Sequence, residues 1–162
     1  MKIGVVSDTH NQVSNVARIV ELLNRAGVER VVHTGDITQA KTLEVLARLD
    51  APLCGVFGNN DAGERAALEA AATRYAMTLC DPPLELVWAE RRIVVVHDPR
   101  DLGTAREAMH EVALHGHTHQ RAIERSGGRL VFNPGECAGH VAGQNAVGVL
   151  DLVTLETEIL RF

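Results

Sequence analysis

The chain has 162 residues, enough for one domain and short for two, and its 46% apolar and 23% charged composition is that of a protein whose core needs no disulfide or metal merely to hold together. Lys and Arg number 16 against 21 Asp and Glu, a net charge of −5 that argues against nonspecific nucleic-acid binding and against attraction to anionic membranes. Cys54, Cys80 and Cys137 form no CxxC pair, so neither a disulfide framework nor a thiolate zinc site is suggested and a reducing cytoplasm is the expected compartment. The start of the chain lacks a secretion-signal pattern and no stretch approaches ~18 consecutive apolar residues, so neither export nor a membrane span is expected.

Lys2 to Ser7 is a short apolar run ending in polar residues, as a buried strand delivering its last side chains to an edge would be. Ser14 to Ala26 has Val16, Ile19, Val20 and Leu23 at helical spacing, with Ser14 as a candidate cap and Gly27 as the stop. Arg30 to His33 reads as a second strand, Thr38 to Leu49 as a helix and Pro52 to Phe57 as a third strand, a β-α-β-α-β opening that implies parallel pairing. Ala62 to Ala76 is rich in Ala, Glu and Arg and predicts a surface helix, ended by the Pro82-Pro83 break. Leu84 to Trp88 and Arg92 to Val96 flank Ala89-Glu90-Arg91 as a hairpin, and a further helix is expected at about Thr104 to Val112. Gly127-Gly128 joins two more short runs, and Asn145 to Phe162 offers a last antiparallel pair around Leu155-Glu156. The expected architecture is one α/β domain over residues 1–162, parallel in its first half and more antiparallel in its second, with two sheets packed face to face and helices outside.

Polar residues concentrate where the strands end. Asp8-Thr9-His10 follows the first, Gly35-Asp36 the second, Gly58-Asn59-Asn60-Asp61 the third, His97 the Ile93 to Val96 run, and His117-Thr118-His119 the apolar Val112 to Leu114. In an open α/β sheet the crevice beyond the carboxyl ends is where ligands bind. In extended backbone, residues i and i+2 point the same way, so Asp8 with His10 and His117 with His119 would approach one centre as two pincers. Gly35, Gly58 and Gly116 would let backbone come close to an ion or anion. Nitrogen and oxygen donors without sulfur suit Mn²⁺, Fe, Co²⁺, Ni²⁺ or Zn²⁺, and four histidines argue against a dedicated Ca²⁺ or Mg²⁺ cage.

The ordered series Asp8-x-His10, Gly35-Asp36, Gly58-Asn59-x-Asp61, His97 and Gly116-His117-Thr118-His119 resembles the calcineurin-like metallophosphoesterases, and among them a small prokaryotic phosphodiesterase branch to which the retromer scaffold subunit is related. Asn133-Pro134-Gly135 resembles a turn common in that branch. The resemblance implies a four-layer α/β/β/α sandwich of two mixed sheets. It also implies two divalent ions, Mn²⁺ first and Ni, Co, Fe or Zn as alternatives. Asp8, His10 and His119 would bind one ion, Asp36 would bridge, and Asn59, His97 and His117 would complete the other. In that family the ion pair holds a water or hydroxide that attacks phosphorus in line, so a small phosphate ester is the expected substrate, a diester before a monoester. A noncatalytic scaffold on the same fold is the alternative of a different class.

Three departures bear on substrate handling. Many larger relatives carry His where this chain has Asn60, and a neutral amide gives no useful general acid. Asn60, with Asn59, is the expected phosphate contact, and the loss of a term worth typically ~10²–10⁴-fold favours esters whose leaving groups need little protonation. Asp98-Pro99-Arg100 stands where the family often has Gly and a second His, and Arg100 reads as a solvated loop arginine before it reads as a phosphate contact. Glu136 replaces an expected Ser and either adds negative charge near an anion site or simply points to water. His33 is either a core histidine or an orienting one, Asp61 reads as a helix cap, and His140 has no readable role. His110-Glu111 with His115 is not an HExxH site, because a spacing of five turns the rings about 140° apart on a helix.

Overall fold

The computed structural model describes residues 1–105, 110–141 and 143–162. The chain opens with β1 (Lys2–Val6), α1 (Val13–Ala26), β2 (Arg30–His33), α2 (Ala40–Leu46) and β3 (Leu53–Val56). A 3₁₀ turn over Asn59–Glu64 leads into α3 (Arg65–Arg74), then β4 (Thr78–Cys80), β5 (Leu84–Trp88) and β6 (Arg91–Val95). After α4 (Leu102–Ala105) come β7 (Val112–Leu114), β8 (Ala122–Ser126), β9 (Arg129–Asn133), β10 (Ala146–Asp151) and β11 (Thr157–Arg161).

Two mixed sheets result. The first runs β11-β10-β1-β2-β3-β4 and the second β5-β6-β7-β9-β8. β1 to β4 pair in parallel, with β10 antiparallel to β1 and β11 antiparallel to β10. In the second sheet β6, β7 and β9 are parallel, while β5 and β8 close the two edges as antiparallel hairpin strands. Alternate residues of one strand feed different layers. Ile3, Val5, Val32, Leu150, Ile93, Val95, Leu114 and Phe132 pack together between the sheets. Val6, Val31, Val147 and Val149 face α1, α2 and α3 on the outer side of the first sheet. Val94 and Val96 meet Leu102 on the outer side of the second. A sheet covered on both faces is why these strands read as unbroken apolar runs.

The elements refine the sequence reading. Gly27 does close α1 in a left-handed conformation, but the preceding cap is Gln12, with no side-chain bond, and Ser14 lies inside the first turn. α2 starts only at Ala40, because Thr38 is held at φ 68° by the loop before it. The surface helix begins as 3₁₀ at Asn59 and ends at Arg74, where Ala76 at φ 54° turns the chain into β4, a strand too short to show a period. The expected helix over 104–112 falls in part outside the described residues, and Val112 belongs to β7. Ala89 and Glu90, both at positive φ, form the two-residue turn of the β5–β6 hairpin.

Candidate metal centre

The chemistry-bearing loops follow β1, β2 and β3 in the first sheet and β6 and β7 in the second, all at carboxyl ends on one rim. They are laced together by backbone bonds. Asp8 N–H donates to Gly35 O at 3.1 Å, His10 N–H to Asp36 O at 3.1 Å, and Gly116 N–H to His97 O at 3.0 Å. Glycine is required where they cross. A Cβ on Gly58 would stand 2.5 Å from the Asp36 nitrogen, and one on Gly116 would stand 2.7 Å from Asp8 Oδ2 and 2.8 Å from Thr34 Oγ1.

Asp8 and His10 do approach each other, with His10 Nε2 3.9 Å from Asp8 Oδ1, whereas the expected pair His117 and His119 parts, His117 toward His97 and Asn59 and His119 toward His10 and Asp8. Asp8, His10, Asp36, His117 and His119 have φ of 52°, 39°, 58°, 67° and 54°, so they converge from left-handed turns and not from extended backbone. Asp and His tolerate this region better than most side chains, and conformations of this cost persist where surrounding contacts fix them.

The seven candidate ligands gather into two groups that share Asp36. On one side His10 Nε2 lies 3.2 Å from His119 Nε2 and 3.5 Å from Asp36 Oδ2, and His119 Nε2 lies 3.6 Å from Asp8 Oδ1. On the other, His97 Nε2 lies 3.4 Å from Asp36 Oδ1, 3.0 Å from Asn59 Oδ1 and 3.3 Å from His117 Nδ1, which is itself 3.1 Å from Asn59 Oδ1. Asp36 thus turns one oxygen to each group. Neighbouring donors around an ion with bonds of about 2.0–2.2 Å lie about 3.0–3.4 Å apart, so the spacings fit a divalent cation in each group.

Burial works against the charge of Asp36, yet hydrogen bonds from His97 and from the backbone and side chain of Asn60 hold its pKa well below the carboxylate range. His97 is also buried, but Asp36 and the Thr34 carbonyl raise its pKa, whereas burial lowers that of His10.

Several residues outside the seven hold them in place. His97 Nδ1 faces Thr34 O at 2.9 Å, His119 Nδ1 faces Glu136 Oε2 at 2.9 Å, and His117 Nε2 lies 3.6 Å from Asp98 Oδ2. Such partners set ring orientation and raise the basicity of the nitrogen left over for a metal. Asp61 accepts from the N–H groups of Asp36, Thr38 and Gly58 at 3.1, 2.7 and 2.7 Å, so it joins the β2 and β3 loops and does more than the predicted cap. His33 accepts from Gly35 N–H through Nδ1 at 3.1 Å and faces Thr9 Oγ1 through Nε2 at 3.1 Å. It is a fully buried ring with both nitrogens partnered, which fits the core reading, and its partners Thr9 and Gly35 adjoin Asp8 and Asp36, which fits the orienting one; complete burial drops its pKa to about 3.

Glu136 corrects the sequence reading most sharply. It is 1% exposed and points inward to His119, not to water. Asn60 is exposed and spends its side chain on Asp36, with Nδ2 to Oδ2 at 2.6 Å. Arg100 is exposed and is clasped by Asp98, with Nε to Oδ2 at 2.9 Å. Beside the Asn59, His97 and His117 group a cleft of about 580 Å³ opens, bordered by Phe57, Arg65, Asp98 and Arg100.

Comparison with known proteins identifies the family. The family model described as calcineurin-like phosphoesterase superfamily domain matches residues 1–155. Phosphodiesterase MJ0936 of Methanocaldococcus jannaschii is 33% identical over 155 residues, covering 93% of each chain. The solved structure of an archaeal phosphodiesterase superposes with a TM-score of 0.92 at 31% identity over 100% of both chains. That of Yfce, a phosphoesterase from E. coli, does so at 0.74 and 21% identity over 99% of this chain and 98% of its own, and supports the fold. Fold, rim and comparisons together make the chain a member of the calcineurin-like phosphoesterase superfamily, a hydrolase of phosphate esters.

Proposed function

We propose that the protein is a binuclear-metal-dependent phosphodiesterase acting on a small phosphate ester in the cytoplasm. The observation that carries the reading is Asp36, whose two oxygens face two separate donor groups at 3.5 and 3.4 Å. Asp8, His10 and His119 would hold one ion, Asn59, His97 and His117 the other, with Asp36 common to both. A carboxylate between two dications offsets their mutual repulsion. When bound, such a pair supplies Lewis acidity at the phosphoryl oxygens and makes water an effective nucleophile at neutral pH for in-line attack. Mn²⁺ is the first choice, with Ni²⁺, Co²⁺, Fe or Zn²⁺ compatible with the same donors.

The chain's own residues define the rest. Asn60 donates its backbone N–H and its amide to Asp36 and is exposed, and its remaining amide hydrogen, with the amide of Asn59, would contact a phosphate oxygen. Its amide N–H is far too weak an acid to protonate a departing alkoxide, so aryl or other low-pKa leaving groups are favoured. The cleft beside His97 and His117 has room for the second ester substituent, which supports a diester over a monoester. Three free cysteines support the cytoplasmic placement, and the net charge of −5 opposes nonspecific nucleic-acid binding. Among the described residues no helix is long and apolar enough to cross a membrane.

The test crosses Mn²⁺, Fe²⁺, Co²⁺, Ni²⁺ and Zn²⁺ with bis(p-nitrophenyl) phosphate and p-nitrophenyl phosphate. Diester hydrolysis that exceeds monoester hydrolysis and is abolished by chelator is expected. Faster monoester turnover overturns the diester assignment, and no turnover with any metal leaves the noncatalytic scaffold.

A further inference from the structure

We propose that His140 is an additional ligand of the ion that Asp8, His10 and His119 would hold, and that Glu136 seats it there. The inference rests on the binuclear reading above and adds a third imidazole to one half of the centre.

His140 is exposed, yet its ring lies over the site, with centroids 5.4 Å from His10 and 5.2 Å from His119. A nitrogen from each of these three rings falls within 4.8 Å of the others, the same limit that groups Asp8, His10 and Asp36. The two sets share His10. Donors on opposite sides of an ion with bonds of about 2.1 Å are about 4.2 Å apart, so small ring movements bring all three nitrogens to one centre. His119 gives its Nδ1–H to Glu136, which leaves Nε2 with a lone pair 3.2 Å from His10 Nε2. A shared cation uses all three lone pairs at once.

The placement is built from below. The buried Glu136 carboxylate takes His119 Nδ1–H through Oε2 at 2.9 Å and Val141 N–H through Oε1 at 3.1 Å, and accepts from the His140 backbone as well. One carboxylate therefore orients a ligand ring and folds the next turn back over it. Gly139, at φ 79°, supplies the bend. A Ser at this position, as the family resemblance led one to expect, is too short to reach both. The consequence is a nitrogen-rich half-site, which tilts that half toward Co²⁺, Ni²⁺ or Zn²⁺ over Mn²⁺.

The experiment titrates metal-stripped full-length protein with Co²⁺, read by calorimetry and by visible absorption. The wild type is expected to take two ions in two steps. His140→Ala should weaken one step by about tenfold or more, alter the Co²⁺ spectrum and leave the other step in place. Free imidazole should restore the spectrum of that variant, and Glu136→Gln should weaken the same step. Two ions in the wild type, with His140→Ala matching it in both steps and in spectrum, overturns this inference alone, and so does a raised KM in that variant with an unmoved titration. Fewer than two ions in the wild type overturns the binuclear reading and this inference together.

Discussion

The first sheet brings two acids, an amide and one imidazole to the rim as Asp8, Asp36, Asn59 and His10, whereas the second brings imidazoles alone as His97, His117 and His119. Neither edge is a complete centre. In the binuclear reading the acids would carry the charge that draws a cation, and the imidazoles would supply neutral donors that fix its position. Each group of donors joins residues from both sheets, so the face-to-face packing of Ile3, Val5, Leu114 and Phe132 is as much a part of the site as the ligands are.

The largest effect should come from the acid the two groups share. Asp36→Asn keeps the shape and removes the charge, and is expected to lower turnover by at least about 10²-fold and to lose one ion or more. Metal analysis and diester kinetics on the same sample check it, and unchanged stoichiometry with full turnover would refute the shared-acid assignment. Next is the packing that joins the sheets. Phe132→Ala, at a fully buried ring beside Gly148, should cost about 3–5 kcal/mol, read by denaturant unfolding. A loss below about 1 kcal/mol would mean the sheets are held in register by something else.

The crossing of the loops gives a smaller, more local effect. Gly116→Ala places a methyl against Ser7, Asp8 and Thr34, and should cost about 1–3 kcal/mol and weaken metal uptake. Uptake identical to the wild type would show that the β1 and β7 loops tolerate separation. The remaining effect concerns acid and is spread over several pH units. Folded protein keeps His33 neutral down to about 3, whereas the unfolded chain protonates it near 6.5. The unfolded state therefore binds more protons between these values, so the contribution is full above pH 6.5 and is lost as pH falls toward 3, by at most about 1.4 kcal/mol per unit. Denaturant unfolding of metal-stripped wild type and His33→Gln across this range should show the steeper slope in the wild type.

Much of this is legible in the order of residues. The β-α-β-α-β opening follows from periods that alternate within the first 57 residues, and the strand-end position of Asp8, Asp36 and Asn59 follows from where the apolar runs stop. What is not legible has a common cause. Glu136 looks like any charged loop residue until the β7 loop brings His119 to within 2.9 Å of it. His140 lies 130 residues from His10 in sequence, and no local pattern reports their approach. Even the approach of His10 to Asp8, 3.9 Å between Nε2 and Oδ1, rests on left-handed turns that a period-two argument does not contain.

Which residue types could act, and that they would sit at the ends of strands, is written in local order, because alternation of apolar and polar side chains dictates where backbone pairs and where it must turn. Which donors meet is a property of the packed sheets. Burial between them sets the Asp36 carboxylate midway between two groups of ring nitrogens, and that placement exists only once sequence-distant loops have been pressed onto one rim.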